Sequence, residues 1–177
     1  MNLLPTASQT VGPYLHIGLN WLTIDRIAAA DLPGEHVIME GQVIDGDGQP
    51  VTDALIEIWQ ANPAGQYGHP DFLGFGRAPT DAEGRFRFQT VKPGLVADPD
   101  GGEQAPHLLV SVFMRGLLKR LVTRIYFPDE PRNASDFVLR RVPAERRATL
   151  IARQVAPGKL QWNVLLQGDG ETVFFDC

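Results

Sequence analysis

The sequence has little of what would tie it to an oxidising compartment, a membrane or nucleic acid. Its one cysteine, Cys177, is the last of 177 residues, so an intrachain disulfide cannot form. No apolar run approaches the roughly 20 residues that cross a bilayer, and the first residues do not resemble a secretory signal. The formal net charge of -5 argues against nucleic acid or an anionic membrane as the main partner. We therefore expect a cytoplasmic protein.

The common catalytic motifs are missing as well. There is no glycine-rich phosphate loop, no C-x-x-C pair, no zinc-spaced histidine pair and no G-x-S-x-G elbow. The residues that could carry chemistry are four histidines, three tyrosines and the carboxylates of the loops. No local motif therefore identifies a reaction.

Two stretches with a period of two dominate the hydrophobic pattern. Residues 37–44 place Val37 and Met39 on one face, and residues 54–60 resume the alternation. Between them, the D-G-D-G run at 45–48 favours a chain reversal. We predict that the two stretches pair as a β-hairpin. Because two strands alone are marginally stable in water, further strands must cover its apolar face.

The rest of the chain adds strands and one helix. Residues 107–114 are apolar almost throughout, which predicts a central strand covered on both faces. Residues 143–153 begin with proline and continue with good helix formers, which predicts an edge helix. Further strands are predicted at 85–91, 121–127, 160–167 and 172–175. We expect residues 21–177 to form one all-β domain, a mixed-topology β-sandwich of about eight strands with one edge helix and long loops.

The first 20 residues differ from this domain. Pro5 and Pro13 oppose a helix and favour extended neighbours. Tyr14 and Ile17 are apolar, and a frayed terminus would leave them in solvent. We expect residues 1–20 to form an arm that docks on a partner or across the chain's own sheet.

Two side chains are candidate site residues, and each has an ordinary structural alternative. Tyr67 lies in a glycine-rich loop, G-Q-Y-G-H-P-D, next to His69, where it could simply cap the loop. His107 opens an apolar strand, where one hydrogen bond could satisfy it. These residues alone do not define a site.

Several longer runs follow one another along the chain: D-G-D-G-Q-P-V, A-L-I-E-I-W-Q-A-N-P-A-G-Q-Y, G-R-A-P-T-D-A-E-G-R-F-R-F, K-P-G, A-P-H and T-R-I-Y-F. In this order they resemble the intradiol ring-cleavage dioxygenases, and the likeness extends to both ends of the chain. The resemblance implies a β-sandwich, in agreement with the strand pattern. It also implies ferric iron held by two tyrosines and two histidines, since phenolate oxygen suits this hard ion.

The resemblance places only part of that ligand set in this chain. Tyr67 falls at the first tyrosine position and His107 at the first histidine position. The second histidine position holds Leu109, which cannot ligate, and no tyrosine follows the K-P-G run in residues 95–98. We therefore expect Tyr67, His107 and Leu109 to mark a vestigial site, with no metal and no catalytic residue in this chain.

Within the family, this departure implies an iron-free subunit of a larger enzyme. Its partner would be a homologous beta subunit that carries Fe(III) and cleaves a small aromatic acid such as protocatechuate. By resemblance the arm packs on that partner, and the residues that reach the partner's substrate pocket are Thr10, Gly12, Pro13, Tyr14 and Arg124. An arginine at a pocket mouth suits an anionic substrate.

Two other hypotheses are open at this point. The chain could be a self-sufficient iron enzyme in which His69 or Asp98 replaces a lost ligand. It could also be a non-enzymatic binding or transport sandwich, similar to a prealbumin module.

Overall fold

The structure is a computed structural model that describes residues 5–98 and 101–176, so Cys177 and the first four residues of the arm lie outside it. Within this part of the chain, no helix is long and apolar enough to cross a membrane. The strands, in chain order, are β1 (His36–Ile44), β2 (Leu55–Trp59), β3 (Phe75–Pro79), β4 (Arg85–Val91), β5 (Val96–Ala97), β6 (Glu103–Gln104), β7 (His107–Phe113), β8 (Leu121–Tyr126), β9 (Arg153–Ala156), β10 (Lys159–Gln161) and β11 (Val164–Leu165). There are also two short α-helices, α1 (Tyr14–Ile17) and α2 (Phe137–Arg141), and 3₁₀ turns at Asn20–Leu22, Pro131–Ala134 and Ala144–Leu150.

The strands form two sheets packed face to face. One sheet has the antiparallel order β3-β2-β7-β8. In the other, β1 pairs antiparallel with β4 on one side and parallel with β10 and β11 on the other, while β9 pairs with β10. The strands β5 and β6 make a separate two-stranded ribbon. Parallel and antiparallel pairs occur together, which confirms the predicted mixed-topology sandwich.

The core lies between the two sheets and follows the alternation of the sequence. Met39 and Val43 of β1 are fully buried, as are Ile56 of β2 and Val112 of β7. Strand β7 is central, as predicted, but only one of its faces is fully buried. Leu109, at the middle of its outer face, is half-buried. The expectation that β7 is covered on both faces is therefore wrong, and its outer face is available for a site.

The predicted hairpin is also wrong, although both of its strands exist. Strand β1 pairs with β4 over seven residue pairs, and β2 pairs with β3 and β7 in the opposite sheet. The chain does reverse at Asp45, whose carboxylate accepts hydrogen bonds from the amides of Asp47 and Gln49. Side by side, β1 and β2 would expose both apolar faces to the same side. In opposite sheets each strand covers the other.

The predicted edge helix at 143–153 is a 3₁₀ turn, Ala144–Leu150, followed directly by strand β9. The chain has to become extended at Ile151, because this residue forms a bridge with Tyr126 of β8. The fully buried Leu150 fixes the turn from inside. The one helix in this region, α2, begins instead after Asp136, whose carboxylate accepts from the amide of Leu139 as an N-cap.

Residues 24–27, which we call the edge clamp, join the two sheets along one open side of the sandwich. Ile24 exchanges backbone hydrogen bonds of 2.8 and 3.0 Å with Arg77 of β3. One residue further on, Asp25 accepts from the amide of Gln89 of β4, and Ile27 donates to the carbonyl of the same residue. The edge strands of both sheets are thereby paired with a single segment.

Gly41 in the middle of β1 gives a test of this packing. A Cβ at this position would lie 1.9 Å from the Trp162 carbonyl oxygen and 2.5 Å from the Phe86 ring. We expect Gly41→Ala to destabilise the fold by about 2 kcal/mol or more, measured by chemical denaturation, since overpacking of a tight core costs this much. The matched control is Gly12→Ala, where a Cβ meets nothing within 4 Å. Equal stability losses in the two variants would contradict the close approach of β1 to its neighbours.

Candidate functional site

The structure brings Tyr67 and His107 together on the outer face of the β3-β2-β7-β8 sheet. His107 is the first residue of β7, and its Nε2 lies 3.3 Å from the Tyr67 hydroxyl. Tyr67 follows β2 in a loop whose turn is held by Asn62, because the Asn62 side-chain oxygen accepts from the amides of Ala64 and Gln66. The Tyr67 ring also stacks on Trp59, at the end of β2, with centroids 6.0 Å apart.

The hydrogen bonds of His107 fix its tautomer. Its Nδ1 lies 2.7 Å from the carbonyl oxygen of Ala105, which can only accept, so Nδ1 carries the proton. Nε2 is then an acceptor, and the Tyr67 hydroxyl donates to it. Burial of the ring, and next the positive charge of Arg124, lower the pKa of His107 from 6.5 to about 4. Burial also raises the pKa of Tyr67. Both side chains are therefore neutral near pH 7.

Arg124 lies beside this pair at the centre of a hydrogen-bond network. Its Nη1 donates to the side-chain oxygen of Gln104 at 2.9 Å and to the Tyr126 hydroxyl at 3.3 Å. The Tyr126 hydroxyl donates in turn to the buried carboxylate of Asp136 at 2.9 Å. Asp136 also accepts from the amide of Ala105. The half-buried guanidinium is thus connected through one phenol to a buried counter-charge.

Leu109 stands at the second histidine position that the resemblance implies, and Val96 is one of residues 95–98, among which no tyrosine follows the K-P-G run. In the β7–β8 register Leu109 lies opposite Arg124, and in the β5–β6 register Val96 lies opposite Gln104. Both side chains are aliphatic. Among residues 5–98 and 101–176, no group of three or more His, Cys, Asp or Glu side chains could hold a metal ion.

The residues present do not fit ferric iron. The two donors, Tyr67 and His107, are neutral and already hydrogen-bonded to each other, and a permanently charged guanidinium lies next to them. Ferric iron needs anionic oxygen donors and several protein ligands in fixed positions. Of the substitutes considered from the sequence, His69 is engaged elsewhere, because its ring Nδ1 lies against Asp71.

The arm residues lie at the other end of β7. The Thr10 hydroxyl accepts a hydrogen bond of 2.8 Å from the amide of Gly116, which follows β7 in the chain. Gly12 and Pro13 line a hollow of about 200 Å³ together with Asp53 and Arg115. The structure therefore does not bring the arm residues and Arg124 together within one chain. Arg124 lies instead with Tyr67 and His107.

Three residues of the network were not found from the sequence: Gln104, Tyr126 and Asp136. One signal was available, since Arg124 and Tyr126 are two residues apart on a strand and must share a face. Asp136 also stands where an N-cap is expected, just ahead of a short apolar run. Nothing in the sequence indicates that the Asp136 carboxylate accepts a hydrogen bond from the amide of Ala105, because 31 residues separate them.

Comparison with known proteins places the chain in a family. A family model described as "Dioxygenase" matches residues 20–168. The chain is 46% identical to the protocatechuate 3,4-dioxygenase alpha chain of Burkholderia cepacia, over 98% of each protein. It is 42% identical to the alpha chain of Pseudomonas putida, over 99% of this chain and 98% of that one. The beta chain of Burkholderia cepacia is 39% identical over 82% of this chain and 66% of its own length.

Solved structures support the same fold. The dioxygenase domain of a carbohydrate-binding fusion protein from Streptomyces sp. SirexAA-E has a TM-score of 0.66 and 29% identity, covering 81% of this chain and 86% of that one. Catechol 1,2-dioxygenase from Acinetobacter sp. ADP1 also has a TM-score of 0.66, over 83% of this chain and 58% of its own. At 22% identity, the second likeness concerns the fold alone.

The neutral state of His107 predicts a pH dependence of stability. The folded pKa of about 4 lies below the ordinary value of 6.5, so the unfolded chain binds the proton more readily. Stability from this group is complete above about pH 6.5 and is lost as the pH falls towards 4, by on the order of 3 kcal/mol. Urea denaturation of wild type and His107→Gln at a series of pH values measures the difference. Tyr67→Phe is the control, and it should keep the wild-type slope because burial of the ring is the main cause. Parallel curves for wild type and His107→Gln would refute a buried neutral histidine.

Proposed function

The chain belongs to the intradiol ring-cleavage dioxygenase family, and from that premise we propose that it is the alpha subunit of a protocatechuate 3,4-dioxygenase. The complete enzyme cleaves protocatechuate with O₂, between the two hydroxyl-bearing carbons, to 3-carboxy-cis,cis-muconate. A homologous beta subunit holds the Fe(III) that supplies the oxygen chemistry. This chain holds no iron and contributes no catalytic residue.

One observation carries the iron-free assignment. Tyr67 and His107 are hydrogen-bonded to each other, and the position that would add a second histidine holds Leu109, the cross-strand partner of Arg124. Similarity to two alpha chains over nearly their whole length supports the subunit assignment. The similarity to a beta chain supports a homologous partner.

The arm supports a role in assembly. Tyr14, Ile17 and Trp21 are large apolar side chains, and each keeps more than 70% of its surface exposed. Apolar groups concentrated in one segment favour a protein contact. We assign this surface to the beta subunit, with residues 1–20 as the part of the chain that packs on it.

Gly12 supports a contribution to the partner's pocket. A Cβ at Gly12 would meet nothing within 4 Å, and its φ is not positive, so this chain does not itself require glycine there. The absence of a side chain is explained if the backbone of a partner or a substrate comes close. Pro13 fixes the bend that opens α1 and presents Tyr14, while the Thr10 hydroxyl ties the arm to Gly116.

Arg124 contributes through its charge. Its Nη1 is already engaged with Gln104 and Tyr126, but the side chain is half-exposed, and no carboxylate lies within ion-pair distance among the described residues. A positive charge on this face favours the approach of an aromatic carboxylate such as protocatechuate.

Expression with and without the beta subunit tests the proposal. The chain alone should be colourless, with background iron and no turnover of protocatechuate. The complex with its beta partner should show the visible absorption of tyrosinate bound to Fe(III) and should cleave the substrate. Metal analysis of both preparations gives the iron content per chain.

Tyr67→Phe in this chain is the matched variant for that experiment. The iron content and colour of the complex should not change, because this tyrosine holds no metal. Stoichiometric iron in the chain alone, lost on Tyr67→Phe, would instead establish a self-sufficient iron enzyme.

Gly12→Leu tests the arm. In the complex with the beta subunit, we expect the KM for protocatechuate to rise by about fivefold or more, because a side chain would enter the space used by the partner. The stability of the chain should be unaffected, since the site is open in this structure. Ala30→Leu, which introduces the same side chain at an exposed residue of the domain, should leave KM unchanged. Unaltered assembly and kinetics for Gly12→Leu would remove the arm from the pocket.

A further inference from the structure

The Arg124 side chain lies beside one position that lacks a donor and close to the two donors that remain. Leu109 is its cross-strand neighbour, and Val96 lies opposite Gln104, which accepts a hydrogen bond from Arg124. The charge of Arg124 also reaches the Tyr67 phenol and the His107 ring. Leu109 and the two remaining donors therefore lie near one cation, and Val96 lies opposite the residue that accepts a hydrogen bond from it.

This cation is a permanent part of the protein. A guanidinium does not lose its proton in proteins. Its counter-charge is also built in, because the Tyr126 hydroxyl accepts from Arg124 and donates to the buried Asp136 carboxylate. Asp136 is held in turn by the amides of Ala105 and Leu139, which connect the network to the segment just before β7 and to α2.

A second, multivalent cation beside this arginine would be repelled at short range in a partly buried environment. Ferric iron would also need Tyr67 as a phenolate, whereas the hydroxyl now donates to the His107 Nε2. The arrangement is therefore compatible with a guanidinium and incompatible with a metal at the same place.

We propose that the Arg124 guanidinium occupies the place of the metal charge and excludes iron on its own account, in addition to the lost ligands. This goes beyond the proposed function, because it concerns the vestigial site at Tyr67, His107 and Leu109 and does not depend on the partner. The ordinary alternative is that iron is absent only because donors are missing. The two accounts differ once the donors are restored.

The test restores both donors with Val96→Tyr and Leu109→His, and then adds Arg124→Gln. The complete chain is purified, its fold is checked by circular dichroism, and Fe(III) citrate is added. Bound iron is measured by metal analysis and by the tyrosinate-to-iron absorption. We expect the double variant to stay colourless and the triple variant to bind Fe(III) at least about a hundredfold more tightly, as removal of a nearby charge implies.

Two further variants separate charge from size. Arg124→Lys in the double-variant background keeps the charge and should stay colourless. Arg120→Gln, which removes an exposed arginine just before β8, should also stay colourless. If the triple variant does not fold, Leu109→His is compared with Leu109→His/Arg124→Gln, which keeps three donors. The proposal is overturned if the donors restore iron binding while Arg124 is present, if Arg124→Lys binds iron as well as Arg124→Gln, or if removal of Arg124 from folded protein has no effect.

Discussion

The antiparallel register between β7 and β8 is the constraint on which the candidate site depends. Pairing His107 with Tyr126 necessarily pairs Leu109 with Arg124, since the residues alternate between faces. Leu108 and the other core residues of β7 fix this register, because they are packed between the two sheets. A slip of one residue would turn the arginine into the core and the buried histidine away from its tyrosine. The packing between the sheets therefore decides which charges meet on the outer face.

That outer face carries a polar network built on the His107 tautomer. His107 keeps the tautomer that leaves Nε2 free to accept, because Ala105 holds the other nitrogen. The acceptor is now used by a neutral phenol. Arg124, Tyr126 and Asp136 supply a cation and its counter-charge from the protein itself. The same strands and loops thus support a polar network that connects the guanidinium to a buried carboxylate through one phenol.

Much of the sandwich was predictable from the chain, because alternation in 37–44, 85–91 and 121–127 is a local property of residues that face either core or solvent. Strand pairing is not local, and this is why β1 and β2 were wrongly paired: two apolar strands with a turn between them are compatible with a hairpin or with opposite sheets. The helix predicted at 143–153 is wrong for a related reason. The chain becomes extended at Ile151 because this residue pairs with Tyr126, which lies 25 residues away in the sequence.

For the site, Tyr67 and His107 could be found from their motifs, and Leu109 from the departure at one position. The position of Arg124 beside them could not, because it follows from the register of β8. Gln104 contacts Arg124, and Asp136 contacts Ala105. These partners are 20 and 31 residues apart in the sequence, and no sequence pattern encodes such contacts.

The edge clamp has a consequence for self-association. Unpaired edge strands are templates on which identical chains can add and grow into fibres. Here residues 24–27 occupy the free edges of β3 and β4, and single bridges from Ile151 and Phe175 cover the two ends of β8. Strand-by-strand growth is thereby discouraged on these sides. The exposed Tyr14 and Ile17 of the arm are then left to meet other chains through side-chain contacts and not by strand addition on these sides.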